Sequence, residues 1–286
     1  MIASTWPYAL ASLCGAGLAW LVHTRVRGFL PEDPPGLGRK RHLRPTPMLG
    51  AWPATLAVAA AALAGEPALA GVIALAGSTG LADDLLKARG HDGLDWRWKT
   101  LALVLAAGLG AGALAPAPLS PGTPLLVGLL LFCTINAVNF LDNQDGVALA
   151  LGGVGLAAIA LRDQDPLAAA CAGLWLAMLP LNWPRARVFL GDAGAYALGA
   201  CLGLFALRPL AQGEAGLWPA LAPLAVPALD FTQVVCVRLV LGRAPWKGDR
   251  RHLTHLLLLA GVPRVALAPL LATVAAAAAL SARGCG

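Results

Sequence analysis

Residues 123–146 read TPLLVGLLLFCTINAVNFLDNQDG, a sequence that begins apolar and ends polar. Its first part is an uncharged apolar run that, as a helix, crosses most of a hydrocarbon layer about 30 Å thick. Its last part carries Asn and Asp residues in a turn-forming sequence. The stretch therefore predicts a membrane helix whose end places amide and carboxylate oxygens at one surface of the bilayer.

The composition of the whole chain agrees with this interpretation. The chain has 286 residues, of which 58% are hydrophobic and 13% charged, with a mean hydropathy of +0.70. A soluble domain of this size does not have such a balance, and Gly and Pro are frequent in transmembrane helices. We therefore predict an all-α, polytopic membrane protein that forms one domain over residues 1–286.

Charged or Pro/Gly-rich breaks divide the chain into about ten segments able to cross the membrane. These segments lie near residues 6–24, 49–64, 67–82, 100–115, 123–138, 147–161, 166–181, 194–208, 216–240 and 261–281. The first has no basic residue before it and has Arg25 and Arg27 after it, which is the reverse of a signal peptide. We expect a retained helix there, with both chain termini on the non-cytoplasmic side.

The distribution of basic residues tests this layout. All Lys and Arg residues except Arg162, Arg208 and Arg283 fall on one side of the predicted membrane, which the positive-inside rule assigns to the cytoplasm. The net charge of +6 then indicates a basic cytoplasmic surface suited to anionic lipid headgroups or to a polyphosphate ligand. Nucleic acid is excluded as a partner, because no recognition module for it is present. The six Cys residues are scattered singly and predict neither disulfides nor a metal site.

Polar residues also collect at the predicted cytoplasmic ends. They occur in four separated segments: LADDLLK at 81–87, NAVNFLDNQDG at 136–146, FLGDAGAYALG at 189–199 and GDRRHLTH at 248–255. Ionisable groups at the ends of membrane helices are costly and indicate a functional site.

Each segment also has a simpler interpretation. Asp83 and Asp84 close their predicted helix, so they suit a solvated loop end as well as a base or a metal site. Residues 136–146 suit a turn as well as a site for a hard cation. Asp192 suits an N-cap, which is compatible with metal binding. His252 and His255 suit a lipid-facing basic patch as well as proton transfer. Oxygen ligands beside Lys, Arg and His together predict a phosphate site, and the chain contains no Walker loop or GxGxxG motif.

The chain resembles the polyprenyl-phosphate N-acetylhexosamine-1-phosphate transferases, a membrane superfamily of glycosyltransferase family 4 type. Six motifs carry the resemblance in the order of the family: RKRHLRPTPMLG, LADDLLK, NAVNFLDNQDG, NWPRARVFLGDAGAYALG, PALDFTQVVCVR and DRRHLTHLL. The resemblance implies transfer of a sugar-1-phosphate from a UDP-N-acetylhexosamine to polyprenyl (undecaprenyl) phosphate, with release of UMP. It also implies Mg²⁺ as the cofactor, with Mn²⁺ as an alternative.

Site roles carry over by position. The residues that the resemblance assigns to catalysis are Asp83, Asp84, Asp142, Asp145, His252 and His255. One Asp of the 83/84 pair would deprotonate or orient the lipid phosphate, and the two histidines would contact the nucleotide-sugar end. Asp192 and Asn139 are the implied metal ligands. The implied phosphate- or substrate-binding residues are Lys87, Lys99, Asn136, Arg187, Arg250 and Arg251. Asp230 matches a PxxD position of the family, and this match does not distinguish a structural role of Asp230 from a functional one.

The chain departs from the family pattern at Ala195, where Ser is usual, and at Asn143 and Gln144, which replace a Gly-hydrophobic pair. Every implied ligand remains. The ending DRRHLTHLL resembles the branch that transfers N-acetylglucosamine-1-phosphate more than the triple-histidine ending of the pentapeptide branch. The expected reaction is therefore the first membrane step of a cell-envelope glycan.

The resemblance places the protein in the bacterial cytoplasmic membrane, among membrane lipids, with the active site facing the cytoplasm; dimers occur in the family. One alternative is phospho-N-acetylmuramoyl-pentapeptide transfer or another UDP-N-acetylhexosamine specificity. A transporter or lipid flippase is an alternative of a different class, with Asp230 as its single deep carboxylate. A catalytically inactive lipid-binding scaffold would require lost ligands, and none is lost.

Overall fold

A computed structural model describes residues 31–33, 45–115 and 122–282. The predicted segment 6–24 lies outside these residues. Two short strands, β1 (Glu32–Asp33) and β2 (Thr46–Pro47), pair antiparallel ahead of the first described helix. All other regular elements of the described residues are helices.

The helix bounds follow in chain order. They are α1 Ala51–Leu63, α2 Pro67–Ala88, α3 Trp96–Leu114, α4 Gly122–Leu141, α5 Val147–Asp163, α6 Pro166–Asn182, α7 Gly191–Ala211, α8 Leu217–Leu221, a 3-10 turn Ala222–Leu224, α9 Ala225–Val240, α10 Leu253–Leu259 and α11 Arg264–Ser281. Helices therefore occupy the nine predicted segments that fall within the described residues.

Five stretches of the described chain are long and apolar enough to cross a membrane. They are Pro67–Ala88, Gly122–Leu141, Gly191–Ala211, Leu217–Val240 and Arg264–Ser281. Two shorter helices, α1 and α6, are also apolar. The all-α membrane fold is thus confirmed, whereas the count of ten spans and the orientation of the termini stay predictions.

Helix α7 forms the centre of the bundle. It packs chiefly against α2 and α4, and α5 also contacts it. Glycines let these helices approach closely: a Cβ on Gly199 would lie 2.8 Å from the Cα of Ile135 in α4. A Cβ on Gly80 of α2 would lie 2.2 Å from the carbonyl oxygen of Asp192 in α7. The small residues of the sequence therefore set the spacing between the helices that carry the predicted site residues.

Four predicted boundaries near the site differ from the structure. Helix α4 continues to Leu141 and α7 begins at Gly191, so Asn139 and Asp192 lie within helices. Helix α2 continues to Ala88, so Asp83 and Asp84 do not end it, and both side chains are buried. Helix α3 begins at Trp96, so Lys99 lies on its first turns. The solvated-loop interpretation of the Asp pair fails because neighbouring lysines and backbone N–H groups satisfy the buried charges.

Two of the three basic residues predicted for the non-cytoplasmic side lie in the last turns of helices, Arg208 in α7 and Arg162 in α5. Arg208 contacts Asp165 at 3.2 Å and Glu66 at 3.4 Å, and Arg162 contacts Asp163 at 2.6 Å. This cluster joins the ends of several helices. Arg208 lies 16 residues after Asp192, which is about 24 Å along the axis of α7.

Candidate active site

Three carboxylates meet where α2 passes the beginning of α7. Asp83 and Asp84 come from α2 and Asp192 from α7, and each offers an oxygen such that all three atoms lie within 4.8 Å of one another. The close approach at Gly80, one turn before the pair, brings the two helices together here. Residues 108 positions apart in sequence therefore share one site.

Asp84 caps α7 from another helix. Its Oδ1 accepts a hydrogen bond from the backbone N–H of Asp192 at 3.0 Å, and its Oδ2 accepts one from Ala193 N–H at 3.0 Å. These are donors that the first turn of a helix leaves unpaired, and a carboxylate there also interacts favourably with the helix dipole. The expectation that Asp192 is itself an N-cap was wrong. Leu190 stands at that position, where no side-chain hydrogen bond caps the helix.

Two lysines balance the carboxylates. Lys87 Nζ lies 2.5 Å from Asp83 Oδ2 and 3.1 Å from Asp192 Oδ2. Lys99 Nζ lies 2.8 Å from Asp83 Oδ1 and 3.5 Å from Asp192 Oδ2. The backbone N–H of Leu94 also donates to Asp83 Oδ1 at 2.6 Å. Three carboxylates face two ammonium groups, so the cluster has one unbalanced negative charge when all three carboxylates are ionised.

The donor set fits a hard divalent cation. Asn139 of α4 donates from Nδ2 to Asp192 Oδ1 at 3.0 Å, which places the two predicted metal ligands side by side. Carboxylate oxygens are the ligands that Mg²⁺ and Mn²⁺ prefer, and the spare negative charge favours a cation. The residues that would hold it are Asp192 together with Asp83 and Asp84, with Asn139 next to them.

The acidic loop, which we define as residues 142–146, connects α4 to α5 beside this cluster. Burial, together with the negative charges of Asp192, Asp84 and Asp145, raises the pKa of Asp142 to about 8. Asp145 accepts a hydrogen bond from the backbone N–H of Ala186 at 3.2 Å. Asp142 is thus coupled electrostatically to the carboxylate cluster, whereas Asp145 ties the loop to the segment before α7.

Asn182 anchors the other side of the same loop. It is buried, its Oδ1 accepts from Gly146 N–H at 2.8 Å, and its Nδ2 donates to the Val188 carbonyl at 2.8 Å. Gly146 has a φ of +76° and is a position that favours glycine. The Asn182 side chain therefore joins the acidic loop to the segment that precedes α7.

The predicted histidines lie at the beginning of α10. His252 stands just before the helix, and its ring centroid is 6.0 Å from that of His255, as their spacing predicted. Asp230 of α9 is paired with His252 at 2.9 Å between Oδ2 and Nδ1. This deep carboxylate therefore has a partner, because the chain after α9 folds back along that helix.

Arg238 and Asp249 hold this returning segment. Arg238 is buried and forms two hydrogen bonds to Asp249, at 3.2 and 3.3 Å, and one to the Pro245 carbonyl. Burial disfavours the Asp249 charge, but the bonds from Arg238 and from the backbone N–H of Arg251 outweigh it and lower the pKa of Asp249. The pair fixes the segment between α9 and α10 against α9.

Phe140 connects the carboxylate side to the histidine side. It follows Asn139 directly, its ring meets that of His252 edge to face at 5.6 Å, and Arg238 lies over it at 5.0 Å. The unusual Asn143 makes a second connection, because its Oδ1 accepts a hydrogen bond from the buried Thr254 hydroxyl at 2.5 Å. Thr254 stands between the two histidines, so this departure from the family pattern has a structural role.

The remaining predicted residues are placed less directly. Asn136 donates to the Phe132 carbonyl of its own helix at 2.9 Å, and the exposed Arg187 donates to the Pro180 carbonyl at 3.0 Å. Arg251 lies 3.8 Å from Asp249, and Arg250 is exposed on the same segment. The contacts of Asn136, Arg187 and Arg251 are therefore with backbone carbonyls and with Asp249.

Sequence reasoning did not assign site roles to several residues that organise the site: Asp230, Arg238, Asp249, Asn182 and Phe140. A signal existed for Arg238, because a buried arginine within an apolar helix requires a partner. The charged partner of Arg238, Asp249, lies 11 positions away along the chain, and the partner of Asp230, His252, lies 22 positions away. Only the fold identifies these pairs.

The family described as glycosyl transferase family 4 matches residues 67–209 of this chain, which is half of its length. The match covers α2 to α7 up to Pro209. It contains the three clustered carboxylates, both lysines and Asn139, but not the histidine segment.

Three relatives illustrate the similarity. The decaprenyl-phosphate N-acetylglucosaminephosphotransferase of Mycolicibacterium smegmatis is 31% identical over 165 residues, covering 48% of this chain and 41% of the relative. The undecaprenyl-phosphate alpha-N-acetylglucosaminyl 1-phosphate transferase of Escherichia coli is 33% identical over 156 residues, covering 50% and 42%. The phospho-N-acetylmuramoyl-pentapeptide-transferase of Moorella thermoacetica is 42% identical over 91 residues, covering 29% of each. The matches span less than half the length of each relative.

Proposed function

The chain belongs to glycosyl transferase family 4, and on that basis we propose that it transfers a sugar-1-phosphate from a UDP-N-acetylhexosamine to a polyprenyl phosphate. The observation that carries the proposal is the cluster of Asp83, Asp84 and Asp192 with two lysines. N-acetylglucosamine-1-phosphate is the proposed group and undecaprenyl phosphate the proposed acceptor. Relatives named for N-acetylglucosamine transfer and the DRRHLTHLL ending support that choice.

In the proposed reaction an oxygen of the polyprenyl phosphate attacks the β-phosphorus of the UDP-sugar. A P–O bond forms to the acceptor, and the bond from the β-phosphorus to the oxygen bridging the α-phosphate breaks. UMP leaves with that oxygen, and the lipid carries a diphosphate-linked sugar. Both reactants are anions, so the first requirement is to cancel their repulsion.

The chain supplies cations for this purpose. Lys87 and Lys99 each contact two carboxylates within 3.5 Å, so the carboxylates hold both ammonium groups at the site. A magnesium ion held by Asp192 and its neighbours would add Lewis-acid stabilisation of the phosphoryl oxygens. Positioning and charge stabilisation then carry catalysis.

The two aspartates of α2 have different surroundings. Both oxygens of Asp84 accept backbone N–H bonds from α7, so Asp84 holds Asp192 in place in addition to lying among the proposed metal ligands. Asp83 interacts with both lysines, which would bind phosphate oxygens. We therefore assign to Asp83 the orientation or deprotonation of the acceptor phosphate. Asp142, Asp145 and His255 stay predicted site residues.

The test is an assay of UMP release, with mass detection of the lipid product. Purified protein in detergent would receive undecaprenyl phosphate, Mg²⁺ and UDP-N-acetylglucosamine. Asp192→Asn should abolish product and EDTA should do the same, whereas Asp163→Asn, at the opposite end of the bundle, should leave the rate unchanged. If the folded wild type makes no product with a panel of UDP-sugars that includes the pentapeptide donor, the transferase proposal is wrong.

A further inference from the structure

A buried carboxylate lies in the apolar helix α9. Asp230 has an exposed fraction of 0%, in a stretch that reads VPALDFTQVV. Burying an ionised carboxylate costs several kcal/mol unless partners compensate it. The partners of Asp230 therefore indicate why the chain keeps a charge at this position.

Both oxygens of Asp230 are used by the beginning of α10. Oδ2 lies 2.9 Å from Nδ1 of His252, and Oδ1 accepts the backbone N–H of Leu253 at 2.5 Å. An ionised carboxylate can only accept hydrogen bonds, so the proton of a neutral His252 ring must be on Nδ1. Nε2 then carries the lone pair, and it is the ring nitrogen left for a ligand.

The surroundings fix the ring as well as its tautomer. Phe140 packs edge to face against His252 at 5.6 Å. Arg238 and Asp249 hold the segment that leads into His252, and Thr254 is bonded to Asn143. His252 is therefore held from α9, from α4 and from the acidic loop, and Asp230 is the contact that decides which nitrogen points away.

We propose that Asp230 is a positioning residue that holds His252 with Nδ1 turned inward and Nε2 presented to the phosphate end of the nucleotide-sugar. The part that concerns the donor rests on the proposed transferase function. The tautomer follows from the geometry and from an ionised Asp230, and it does not depend on that function. Asp230 does not touch the reacting atoms and acts only through His252.

Asp230→Asn separates this role from simple helix capping. The side-chain amide oxygen can still accept the Leu253 N–H, so the contact that caps α10 is kept. The amide nitrogen can only donate, so it favours an unprotonated Nδ1 and moves the proton to Nε2. We expect kcat/KM for the UDP-sugar to fall about 10- to 100-fold, the effect typical of removing an orienting partner of a functional histidine. The thermal midpoint should change little.

A double-mutant cycle gives the decisive comparison. If Asp230 acts through His252, Asp230→Asn should cause no further loss of activity in a His252→Ala background. A full additional loss there, or wild-type activity of Asp230→Asn, would overturn the proposal. Asp163→Asn, the same substitution in the distant ion cluster, is the control and should keep the wild-type kcat/KM.

A spectroscopic measurement tests the tautomer even if no transferase activity is found. NMR of protein labelled with ¹³C and ¹⁵N at histidine can report the tautomer of each of the five His residues, and His252→Ala identifies the signal. Above the range where the ring is protonated, the wild type should show the Nδ1–H form and Asp230→Asn the Nε2–H form. An Nε2–H form in the wild type would refute the positioning role, whereas an inactive wild type with the expected signal would refute only the transferase function.

Discussion

The contact of Gly80 with α7 allows a sharp test of how the carboxylate cluster is built. A Cβ at this position would lie 2.2 Å from the Asp192 carbonyl oxygen, 2.3 Å from its carbonyl carbon and 2.4 Å from Ala193 N. All three atoms belong to the backbone, so no rotamer change can relieve the clash. Since real Cβ contacts essentially never fall below 3.0 Å, Gly80→Ala must separate α2 from α7 locally by about 0.8 Å.

That displacement acts directly on the site. The hydrogen bonds that Asp84 accepts from the N–H groups of Asp192 and Ala193 are 3.0 Å long, and a further 0.8 Å takes them beyond hydrogen-bond length. We expect a loss of about 1–3 kcal/mol from overpacking, offset in part by the gain of up to about 1 kcal/mol from replacing glycine in a helix. Transferase activity should fall more steeply, by about 100-fold, because a 1 Å misplacement of catalytic groups has an effect of that size.

Gly77→Ala is the matched control. Gly77 lies one turn earlier on α2 and faces the same helix, but a Cβ there would lie 3.4 Å from the Ala197 Cβ and 3.7 Å from the Ala193 carbonyl oxygen, which are ordinary contacts. It should keep wild-type activity and unfold at the same temperature or slightly higher. Rates of UMP release and thermal midpoints in detergent would be measured for both variants. Equal activity of Gly80→Ala and Gly77→Ala would show that the spacing of α2 and α7 does not control the site.

Three further perturbations have expected outcomes. The pKa of the Asp142 carboxyl is about 8 in the folded protein and near 3.8 in the unfolded chain, so between these pH values the folded state holds a proton that the unfolded chain has lost. The contribution of Asp142 to the free energy of unfolding therefore decreases as pH rises from about 4 to 8. Asp142→Asn in EDTA should therefore raise the thermal midpoint relative to wild type at pH 9 and make little difference at pH 4, and a gain independent of pH would contradict this. Asn143→Leu should lower the free energy of unfolding by about 1–3 kcal/mol, because it leaves the buried Thr254 hydroxyl without an acceptor. Adding Thr254→Val should restore part of that free energy, measured by denaturant unfolding. If the double variant shows no recovery, the pairing of Asn143 with Thr254 is refuted. At the opposite end, Glu66→Gln should change stability by less than about 1 kcal/mol because its pair with Arg208 is partly exposed, and a larger shift in midpoint would show that this cluster holds the bundle together.

The sequence predicted the helical membrane fold because hydrophobicity is a local property. Nine predicted segments coincide with helices of the described chain, and the polar motifs lie near their ends as expected. The boundaries failed where tertiary partners overrode local composition. Helix α2 passes through Asp83 and Asp84 because Lys87, Lys99 and the beginning of α7 satisfy the two charges, and no pattern within LADDLLK contains that information.

The site was predicted as a set of residues more successfully than as a set of roles. Asp192, Asn139, Lys87 and Lys99 were named from motifs, and all four lie at one cluster with Asp83. The cap of α7 was assigned to the wrong residue, because a carboxylate at the beginning of a helix has the same local pattern whether it caps that helix or faces a neighbour. The pairing of Asp230 with His252 depends on the path of residues 241–251, which local periodicity does not determine.

The way the histidine segment is attached bears on how such a protein can change during evolution. The segment with His252 and His255 lies outside the region matched by the family. Side chains join it to the rest of the chain: Asp230 and Arg238 of α9, Phe140 of α4 and Asn143 of the acidic loop. The carboxylates and lysines are joined to one another through α2, α3 and α7, without using this segment. Substitutions between residues 241 and 260 can therefore change the surroundings of the histidines and leave the contacts among the carboxylates and lysines as they are. For the proposed transferase, this division would let the preference for the donor change without substitutions at the carboxylate cluster.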